Sequence, residues 1–191
     1  MKKLIVATSN RGKLTEMNTY LDGLKFELGL KPDDLEIEET GVTFMENAIL
    51  KASGVAKVLQ QWSIADDSGL MVDALNGQPG IYSARYGKND LDRIQRLLNE
   101  LQYSSNRQAQ FVCSIALANP AGEIVIQTEG ICQGEILTEM RGNQGFGYDP
   151  IFYVPEAQKT FAEMSPELKR QLSHRGKAFA QLKPLLRKIT D

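Results

Sequence analysis

The stretch Ile64-Ala65-Asp66-Asp67-Ser68-Gly69-Leu70-Met71-Val72 places two adjacent carboxylates, a hydroxyl and a glycine between apolar flanks. Flanks of this length predict buried strand, with the polar residues at a sharp turn or strand junction. Successive side chains of extended backbone point to opposite faces, so Asp66 and Asp67 are not expected to enter one site together. One would be a ligand or base while the other bonds local backbone N–H groups. The alternative is an Asx turn in which both carboxylates only satisfy backbone.

Composition describes an ordinary globular chain with a slightly acidic balance. Its 191 residues are 42% hydrophobic and 24% charged, with a formal net charge of −2, and this length suits one domain or two lobes. The acidic balance argues against nonspecific binding to nucleic acid. The N-terminal apolar run is too short for a signal peptide or a membrane helix. Cys113 and Cys132 are expected to be reduced core thiols of a cytoplasmic protein.

The N-terminal segment predicts a strand, a polar loop and a helix. A buried strand at residues 4–7 is followed by Thr8-Ser9-Asn10-Arg11-Gly12-Lys13, after which apolar residues recur at helical spacing. Such a junction can bind an anion, because it offers free backbone N–H groups and the positive end of a helix dipole. It lacks the glycine pattern of a Walker loop. An ordinary helix cap with solvated basic residues is the alternative.

An acidic segment, residues 36–41, precedes a second helix. Thr43 and Glu46 predict a capping box at its start, and an apolar face continues for about four turns. This helix leads back to the acidic stretch and completes a βαβ-type unit. Glu38 and Glu39 are expected at a strand end beside the helix start, where one of them turns inward.

The second half of the chain predicts a helix, a meander and a glycine-rich loop. A helix capped by Asn89 precedes strands at residues 109–117, 123–128 and 131–136. In residues 141–150, three glycines bracket two aromatic residues and a carboxylate follows, so a ring beside exposed backbone can stack on a planar ligand. Aromatic residues packed inward are the alternative. Ser165 is expected to cap a further helix, and residues 173–176 lie at a helix junction with the only histidine.

Taken together, these segments give a cationic loop, carboxylates and an aromatic platform. Carboxylates near an anion loop suit a phosphate bridged by Mg²⁺, which takes one or two carboxylates, phosphate oxygens and waters. An aromatic platform with a few polar groups suits a base. Residue chemistry alone thus predicts a nucleotide-binding α/β protein that acts as a Mg²⁺-dependent phosphohydrolase.

Six short blocks occur in order between about residue 4 and residue 188. They are Thr8-Ser9-Asn10 with Lys13; Glu38-Glu39-Thr40-Gly41 with Phe44 and Glu46-Asn47-Ala48; Ala65-Asp66-Asp67-Ser68-Gly69-Leu70; Pro79-Gly80 with Ser83-Ala84-Arg85-Tyr86; Phe146-Gly147-Tyr148-Asp149-Pro150 with Phe152; and Ser173-His174-Arg175-Gly176. One block is a weak signal and six in sequence are a strong one. In these blocks the chain resembles the Ham1/inosine triphosphate pyrophosphatase family.

The resemblance implies a Mg²⁺-dependent enzyme that hydrolyses the noncanonical purine triphosphates dITP, ITP and XTP to the monophosphate and pyrophosphate. It implies a cytoplasmic homodimer with no nucleic-acid or membrane partner. The implied fold is α/β: a single ITPase-like domain over residues 1–191, in which helices flank an elongated mixed sheet. Two lobes surround a central cleft, and an antiparallel meander lobe is expected at roughly residues 108–137.

The resemblance also implies roles for single residues. Asp67 is implied as metal ligand and as proton acceptor for the attacking water, Glu38 as the second metal carboxylate and Ser68 as a substrate contact. Other implied substrate contacts are Thr8, Ser9, Asn10, Arg11, Gly12 and Lys13 at the triphosphate, Phe146, Gly147, Tyr148 and Asp149 around the base, with Phe146 stacked on it, and Lys169, His174 and Arg175 at the purine edge. Asp66 stays open: it orients the turn or reaches the metal through water.

Two other functions compete with this hypothesis. A pyrophosphatase of the Maf type acts on other modified or pyrimidine triphosphates, and the late His174-Arg175 block argues against it. A noncatalytic nucleotide- or RNA-binding module is disfavoured by the acidic pI of about 5.6.

The donors implied at the purine edge, Lys169 and Arg175, favour keto bases. Lys and Arg donate but never accept hydrogen bonds, so they match the oxygen at position 6 of the purine. Guanine shares that oxygen, and the sequence does not indicate how it is rejected.

Overall fold

The computed structural model describes residues 2–8, 11–24 and 26–190. The helices in this part of the chain are α1 (Arg11–Tyr20), α2 (Phe44–Leu59), α3 (Asp90–Glu100), α4 (Pro166–Leu172) and α5 (His174–Thr190). The strands are β1 (Lys2–Val6), β2 (Phe26–Leu30), β3 (Trp62–Val72), β4 (Gln108–Ala118), β5 (Ile124–Ile136), β6 (Phe152–Val154) and β7 (Lys159–Thr160). Short 3-10 helices lie at Asp73–Leu75, Gly80–Arg85, Pro155–Ala157 and Phe161–Glu163.

The strands form one seven-stranded mixed sheet in the order β2-β1-β3-β4-β5-β6-β7. β1 pairs in parallel with both β2 and β3, whereas β6 pairs antiparallel with β5 and β7. The parallel pairing of β1 and β3 around α2 is the βαβ arrangement expected from the sequence. The prediction of a mixed α/β fold with flanking helices is therefore confirmed.

The acidic stretch lies inside a continuous strand, so the predicted turn or strand junction is wrong. β3 runs through Asp66, Asp67, Ser68 and Gly69 without interruption. It lies between β1 and β4 in the sheet, and the backbone groups of such an inner strand bond to its neighbours. The alternative of an Asx turn at Asp66 and Asp67 is therefore excluded as well.

Two further strands differ from the prediction. The sequence does not predict β2, a short glycine-containing strand that forms because β1 offers it a parallel edge. β5 is one strand of 13 residues, although the sequence predicts two strands separated near Gly130. The buried positions alternate through Gly130 without a break, so this glycine occupies an inward position of a regular strand rather than ending it.

The residues divide into two compact units. The first contains Met1–Asp67, Cys113–Gly130 and Gly176–Asp191, and the second contains Ser68–Val112 and Ile131–Arg175. The stretch 108–137, expected to form a meander lobe, contributes to both units.

The first unit buries side chains on both faces of its strands. Leu4 and Ile64 pack in one core with side chains of α1 and α5. Ile5 and Ala65, the next residues on the same strands, pack in a second core with side chains of α2. This alternation follows from the two-residue period of a strand, and it fixes which helix each following side chain faces.

The second unit has a single core. It combines the end of β3 with α3 and a cluster of aromatic rings; its members include Leu70, Val72, Ile94, Leu97, Phe111, Cys132, Phe152 and Phe161. Cys113 and Cys132 are both buried, as expected for core thiols. Within the described ranges, no helix combines the length and the apolar character that a membrane crossing requires.

Helix caps set where the main helices begin. The predicted capping box of Thr43 and Glu46 is present at the start of α2, and Asn89 caps α3 by accepting from the backbone N–H of Asp92. Ser165 caps α4, with Pro166 as the first helical residue. All three predicted caps are confirmed, because capping is a local interaction that a short sequence window contains.

Candidate active site

Asp66 and Asp67 point to opposite faces of β3 and meet different helices. Lys13 Nζ in the first turn of α1 lies 3.1 Å from Asp66 Oδ1, and Lys51 Nζ on α2 lies 3.1 Å from Asp67 Oδ1. These partners agree with the alternation of β3, in which α1 covers one face and α2 the other. The prediction that the two side chains point to opposite faces of the strand is confirmed.

Asp67 belongs to a cluster of three charged side chains in the first unit. Lys51 Nζ lies 3.5 Å from Glu39 Oε2 as well as 3.1 Å from Asp67. The Asp67 and Lys51 side chains are only 15% and 12% exposed, whereas that of Glu39 is 36% exposed. Two carboxylates thus converge on one ammonium at a place that is partly removed from water.

Burial raises the pKa of the Asp67 carboxyl above its ordinary value. The ammonium of Lys51 opposes this shift by attraction and by its hydrogen bond, and the nearby Glu39 carboxylate adds to it. A carboxyl whose pKa is raised toward neutrality is a better proton acceptor than an exposed one, because its base strength approaches the working pH. Asp67 therefore has the environment of a general base.

Asp66 is the more deeply buried of the two aspartates. Its side chain is 1% exposed and that of Lys13 is 26% exposed. A buried carboxylate without a partner would cost several kcal/mol, about 3–5 kcal/mol when one member of such a pair is removed. The pair accordingly places the Lys13 ammonium at the N-terminal turn of α1. The Asp66 carboxylate thus holds the Lys13 ammonium in this structure.

The anion loop expected at residues 8–13 is only partly described. Thr8 is half-buried and its N–H donates to the carbonyl of Val6 at 2.8 Å. Ser9 and Asn10 lie outside the described residues. The backbone of Arg11 and Gly12 forms the start of α1, and their side chains are likewise outside the described part. The strand before this loop and the helix after it are both present.

The sequence predicts Glu38 at a strand end, but the structure has no strand at this residue. Residues 31–43 follow β2 without strand or helix, and Glu38 is exposed within them. Its neighbour Glu39 is the residue whose carboxylate approaches Lys51. Extended chain sends neighbouring side chains in different directions, so only one member of this pair faces the cluster.

The glycine-rich loop of the second unit presents one aromatic ring to solvent and buries the other. Phe146 is 57% exposed. Tyr148 is buried, and its hydroxyl donates to the carbonyl of Ser83 at 2.9 Å. The inward-packing alternative therefore holds for Tyr148 and not for Phe146. An exposed ring on anchored backbone can stack on a planar group.

Asp149 joins this loop to α4. Its buried carboxylate accepts from the Phe146 N–H at 2.9 Å and from Lys169 Nζ at 2.5 Å through the same oxygen. The Lys169 ammonium lies 5.2 Å from the centre of the Phe146 ring. Gly145 is required here, because a Cβ at this position would lie 1.9 Å from the Asp149 carboxylate and the backbone φ is +78°. Phe146, Asp149 and Lys169 are thus brought together as predicted.

His174 and Arg175 begin α5 and are both buried. The His174 ring stacks on Phe111, with ring centres 4.7 Å apart and planes 14° apart. Arg175 donates from Nη2 to Ser68 Oγ at 3.2 Å. Ser68 therefore orients the guanidinium in this structure, which is compatible with a substrate contact through its remaining lone pair.

Sequence reasoning missed Lys51 and Asp90, and it selected Glu38 where the structure brings Glu39 to Lys51. Lys51 is detectable in principle, because it lies among the buried positions Ala48, Ala52 and Val55 of α2, where a lysine needs an anionic partner. Asp90 binds the N–H of Gly147 across 57 residues of sequence. No local pattern indicates that contact.

The first-unit cluster suits a magnesium ion completed by substrate. Mg²⁺ in nucleotide enzymes uses one or two carboxylates together with phosphate oxygens and waters. Asp67 and Glu39 supply two carboxylates that already converge on a cation, the ammonium of Lys51. Within residues 2–8, 11–24 and 26–190, no group of three or more His, Cys, Asp and Glu side chains could hold a metal by itself. The two carboxylates thus fit a metal site that substrate phosphate and water complete, and not a site made of protein ligands alone.

Comparison with known proteins agrees with the geometry. Residues 4–185 match the model of the Ham1 family. A dITP/XTP pyrophosphatase of Nostoc sp. is 67% identical over 183 residues, covering 96% of this chain and 93% of that protein. One of Synechocystis sp. is 61% identical over 182 residues, covering 95% and 94%. The structure of a HAM1 protein from Coxiella burnetii is similar, with a TM-score of 0.92, 43% identity and coverage of 98% of this chain and 100% of that one.

These matches extend over nearly the whole chain and over both compact units. The chain belongs to the Ham1 family. The resemblance found in the six sequence blocks is thereby confirmed.

Proposed function

We propose that this protein hydrolyses the noncanonical purine nucleoside triphosphates dITP, ITP and XTP to the nucleoside monophosphate and pyrophosphate. The observation that carries the proposal is the partly buried Asp67 carboxylate, ion-paired with Lys51 and raised in pKa. The relatives named dITP/XTP pyrophosphatase, at 67% and 61% identity, support the same reaction. Removal of these triphosphates would keep hypoxanthine and xanthine out of nucleic acids.

The first unit supplies the groups for the hydrolytic step. Asp67 accepts a proton from water, and the resulting hydroxide oxygen adds to phosphorus at the α–β anhydride. The P–O bond to the leaving pyrophosphate breaks, and the pyrophosphate takes the electron pair. Lys13 and Lys51, held by the two aspartates, donate to phosphate oxygens and offset the charge that develops there. The backbone N–H groups at the start of α1 bind the same anion.

We assign a divalent cation, Mg²⁺, to the carboxylates of Asp67 and Glu39. When bound, the cation supplies charge neutralisation at the phosphate oxygens and lowers the pKa of a coordinated water. Glu38, implied by the family resemblance, stays a prediction for the second ligand. Glu39 is favoured because its carboxylate faces the same ammonium as Asp67.

The second unit supplies the groups for base recognition. Phe146 stacks on the purine, and Lys169 and Arg175 donate hydrogen bonds to its keto edge. Adenine carries an amino donor where these bases carry an oxygen, so the same donors leave adenine unmatched. Asp149 accepts from the N–H of Phe146, Gly147 and Tyr148 lie between them in the loop, and His174 stacks in the aromatic cluster with Phe111 and Phe161.

A substrate panel tests the function directly. Purified protein with Mg²⁺ is given dITP, ITP, XTP, dATP, dGTP and the pyrimidine triphosphates, and pyrophosphate release is followed for each. We expect dITP, ITP and XTP to be cleaved with a kcat/KM at least about 100-fold above dATP, the scale of discrimination that a single mismatched polar group gives. No pyrophosphate from any of the three would overturn the proposal. Preference for pyrimidine triphosphates would identify a Maf-type activity instead.

We also propose that the protein is a cytoplasmic homodimer. It binds its small-molecule substrate and neither nucleic acid nor a membrane. The support is the family resemblance together with the net charge of −2, which disfavours nucleic-acid binding. Light scattering after size exclusion checks the dimer, and a single-chain mass would contradict it.

A further inference from the structure

Two backbone dihedral angles of Phe146, φ and ψ, set the direction in which its side chain leaves the chain, and two carboxylates accept hydrogen bonds from the N–H groups on either side of these angles. The Asp149 carboxylate accepts from the N–H of Phe146 at 2.9 Å. The Asp90 carboxylate accepts from the N–H of Gly147, the next residue, at 2.7 Å. Rotation about φ of Phe146 moves the ring relative to the first N–H, and rotation about ψ moves it relative to the second. With both N–H groups bound, neither rotation is free.

Asp90 is suited to hold this bond because its other oxygen is also engaged. It is the first residue of α3, where the helix dipole favours a negative side chain. Its Oδ1 accepts from Arg93 Nη1 at 2.7 Å, which leaves Oδ2 for Gly147. The restraint matters at this place, because Gly147 has no Cβ and a φ of +61°, and glycine has more accessible conformations than any other residue.

We propose that Asp90 is a positioning residue for base recognition: through the Gly147 N–H it holds the backbone from which the exposed Phe146 ring projects, at the place where the ring stacks on the purine. Asp90 itself touches no substrate in this role. A ring held in place before binding has less conformational entropy to lose when the base arrives. The inference rests on the proposed function for the identity of the base, whereas the tether itself does not.

Kinetics of Asp90→Ala test the role. Asp90→Ala removes a hydrogen bond to a charged acceptor, so we expect KM for dITP to rise about tenfold. The expected kcat stays within about twofold of wild type, because Asp67 and Lys51 are in the other unit. Inhibition by inorganic tripolyphosphate, which has no base, should be unchanged. A KM equal to that of wild type, or an equal loss of tripolyphosphate affinity, would overturn the inference.

Asp92→Ala is the matched control. Asp92 lies on the same helical turn and also accepts a hydrogen bond from a backbone N–H. Its donor is Lys88, in the segment just before α3, at 2.8 Å, and not the loop that carries Phe146. The control should keep the wild-type KM; if it loses as much as Asp90→Ala, the effect belongs to the helix start and the inference fails. Asp90→Asn keeps one acceptor oxygen and should restore part of the lost affinity.

Amide hydrogen exchange at Gly147, followed by NMR without any nucleotide, provides a readout that does not depend on activity. Exchange should be faster in Asp90→Ala than in wild type and in Asp92→Ala. Unchanged exchange would overturn the tether, and Asp90→Asn serves this measurement if the alanine variant does not fold. Failure of the proposed function would show instead as a wild-type protein that cleaves no dITP, with the exchange difference intact.

Discussion

The first compact unit holds Asp67 and its two candidate lysines on regular elements, whereas the second holds its exposed ring on a loop. Asp67 and Lys51 lie on β3 and α2, and Lys13 lies in the first turn of α1. Phe146 lies in a glycine-rich loop that hydrogen bonds from Asp90 and Asp149 hold in place. Ion pairs position the two lysines of the first unit, and hydrogen bonds to backbone N–H groups position the loop that carries the exposed ring of the second.

The difference matches the tasks that we assign to the two units. Proton transfer and charge stabilisation require atoms fixed to a fraction of an ångström, which strands and helices provide. A stacking ring contributes through its face, so it tolerates any support that keeps the ring plane in place. Substitutions in the first unit should therefore change kcat most, and those in the second should change KM most.

Asp67→Asn should have the largest effect. The amide keeps the size of the side chain and cannot accept the proton, so we expect kcat for dITP to fall about 1,000-fold, within the range that general-base catalysis contributes. Pyrophosphate release at saturating substrate measures it. The control is Asp73→Asn, an exposed aspartate just beyond the same strand. Wild-type turnover in Asp67→Asn would show that another group is the base.

Phe146→Ala should change binding far more than folding. Stacking of a base on an aromatic ring contributes about 1–3 kcal/mol, so KM should rise about tenfold to a hundredfold with a small change in Tm. The matched variant is Phe152→Ala in the fully buried core, which should lower the free energy of unfolding by about 3–5 kcal/mol. Titration of dITP and thermal unfolding of both variants separate the two roles. An equal loss of stability in both would mark Phe146 as core.

Glu39→Gln should reduce activity more than Glu38→Gln. Glu39 is 3.5 Å from the ammonium that also binds Asp67, and Glu38 is exposed in the same irregular segment. We expect Glu39→Gln to raise the Mg²⁺ concentration for half-maximal rate about tenfold, a loss of about 1.4 kcal/mol, and Glu38→Gln to leave it close to that of wild type. A Mg²⁺ titration at fixed dITP measures both. The reverse order would return the metal site to Glu38.

Local sequence signals predict the caps and most elements of this fold. Thr43 with Glu46, Asn89 and Ser165 mark helix starts within windows of four residues. The two-residue period of a strand likewise assigns Asp66 and Asp67 to opposite faces from their adjacency alone. By contrast, β2 forms because β1 offers it an edge, and Gly130 stays in β5, where the alternation of buried positions continues through it. Those outcomes depend on tertiary contacts.

The candidate site shows the same limit at the level of single side chains. The aspartates, Phe146 and Lys169 are detectable by residue type and by their blocks. Lys51 and Glu39 become part of the site only because α2 packs on the face of β3 that carries Asp67. Asp90 enters through a contact 57 residues away in sequence. The spacing of residues along the sequence does not predict which face of a strand a helix covers, and it does not predict which distant side chain binds a loop N–H.

The smallest expected effect concerns stability without metal. The pKa of Asp67 is raised from 3.8 by burial, so the folded state binds this proton more tightly than the unfolded chain. The stabilisation of the folded state by this tighter proton binding is fully present below pH 3.8, and it is lost as the pH rises through the pKa that Asp67 has in the folded state. With EDTA at pH 7, Asp67→Asn should therefore unfold at a Tm on the order of 2 °C above wild type. The difference in Tm should shrink as the pH is lowered toward about 4. A variant less stable than wild type at pH 7 would show that the ion pair with Lys51 outweighs the cost of burying the charge.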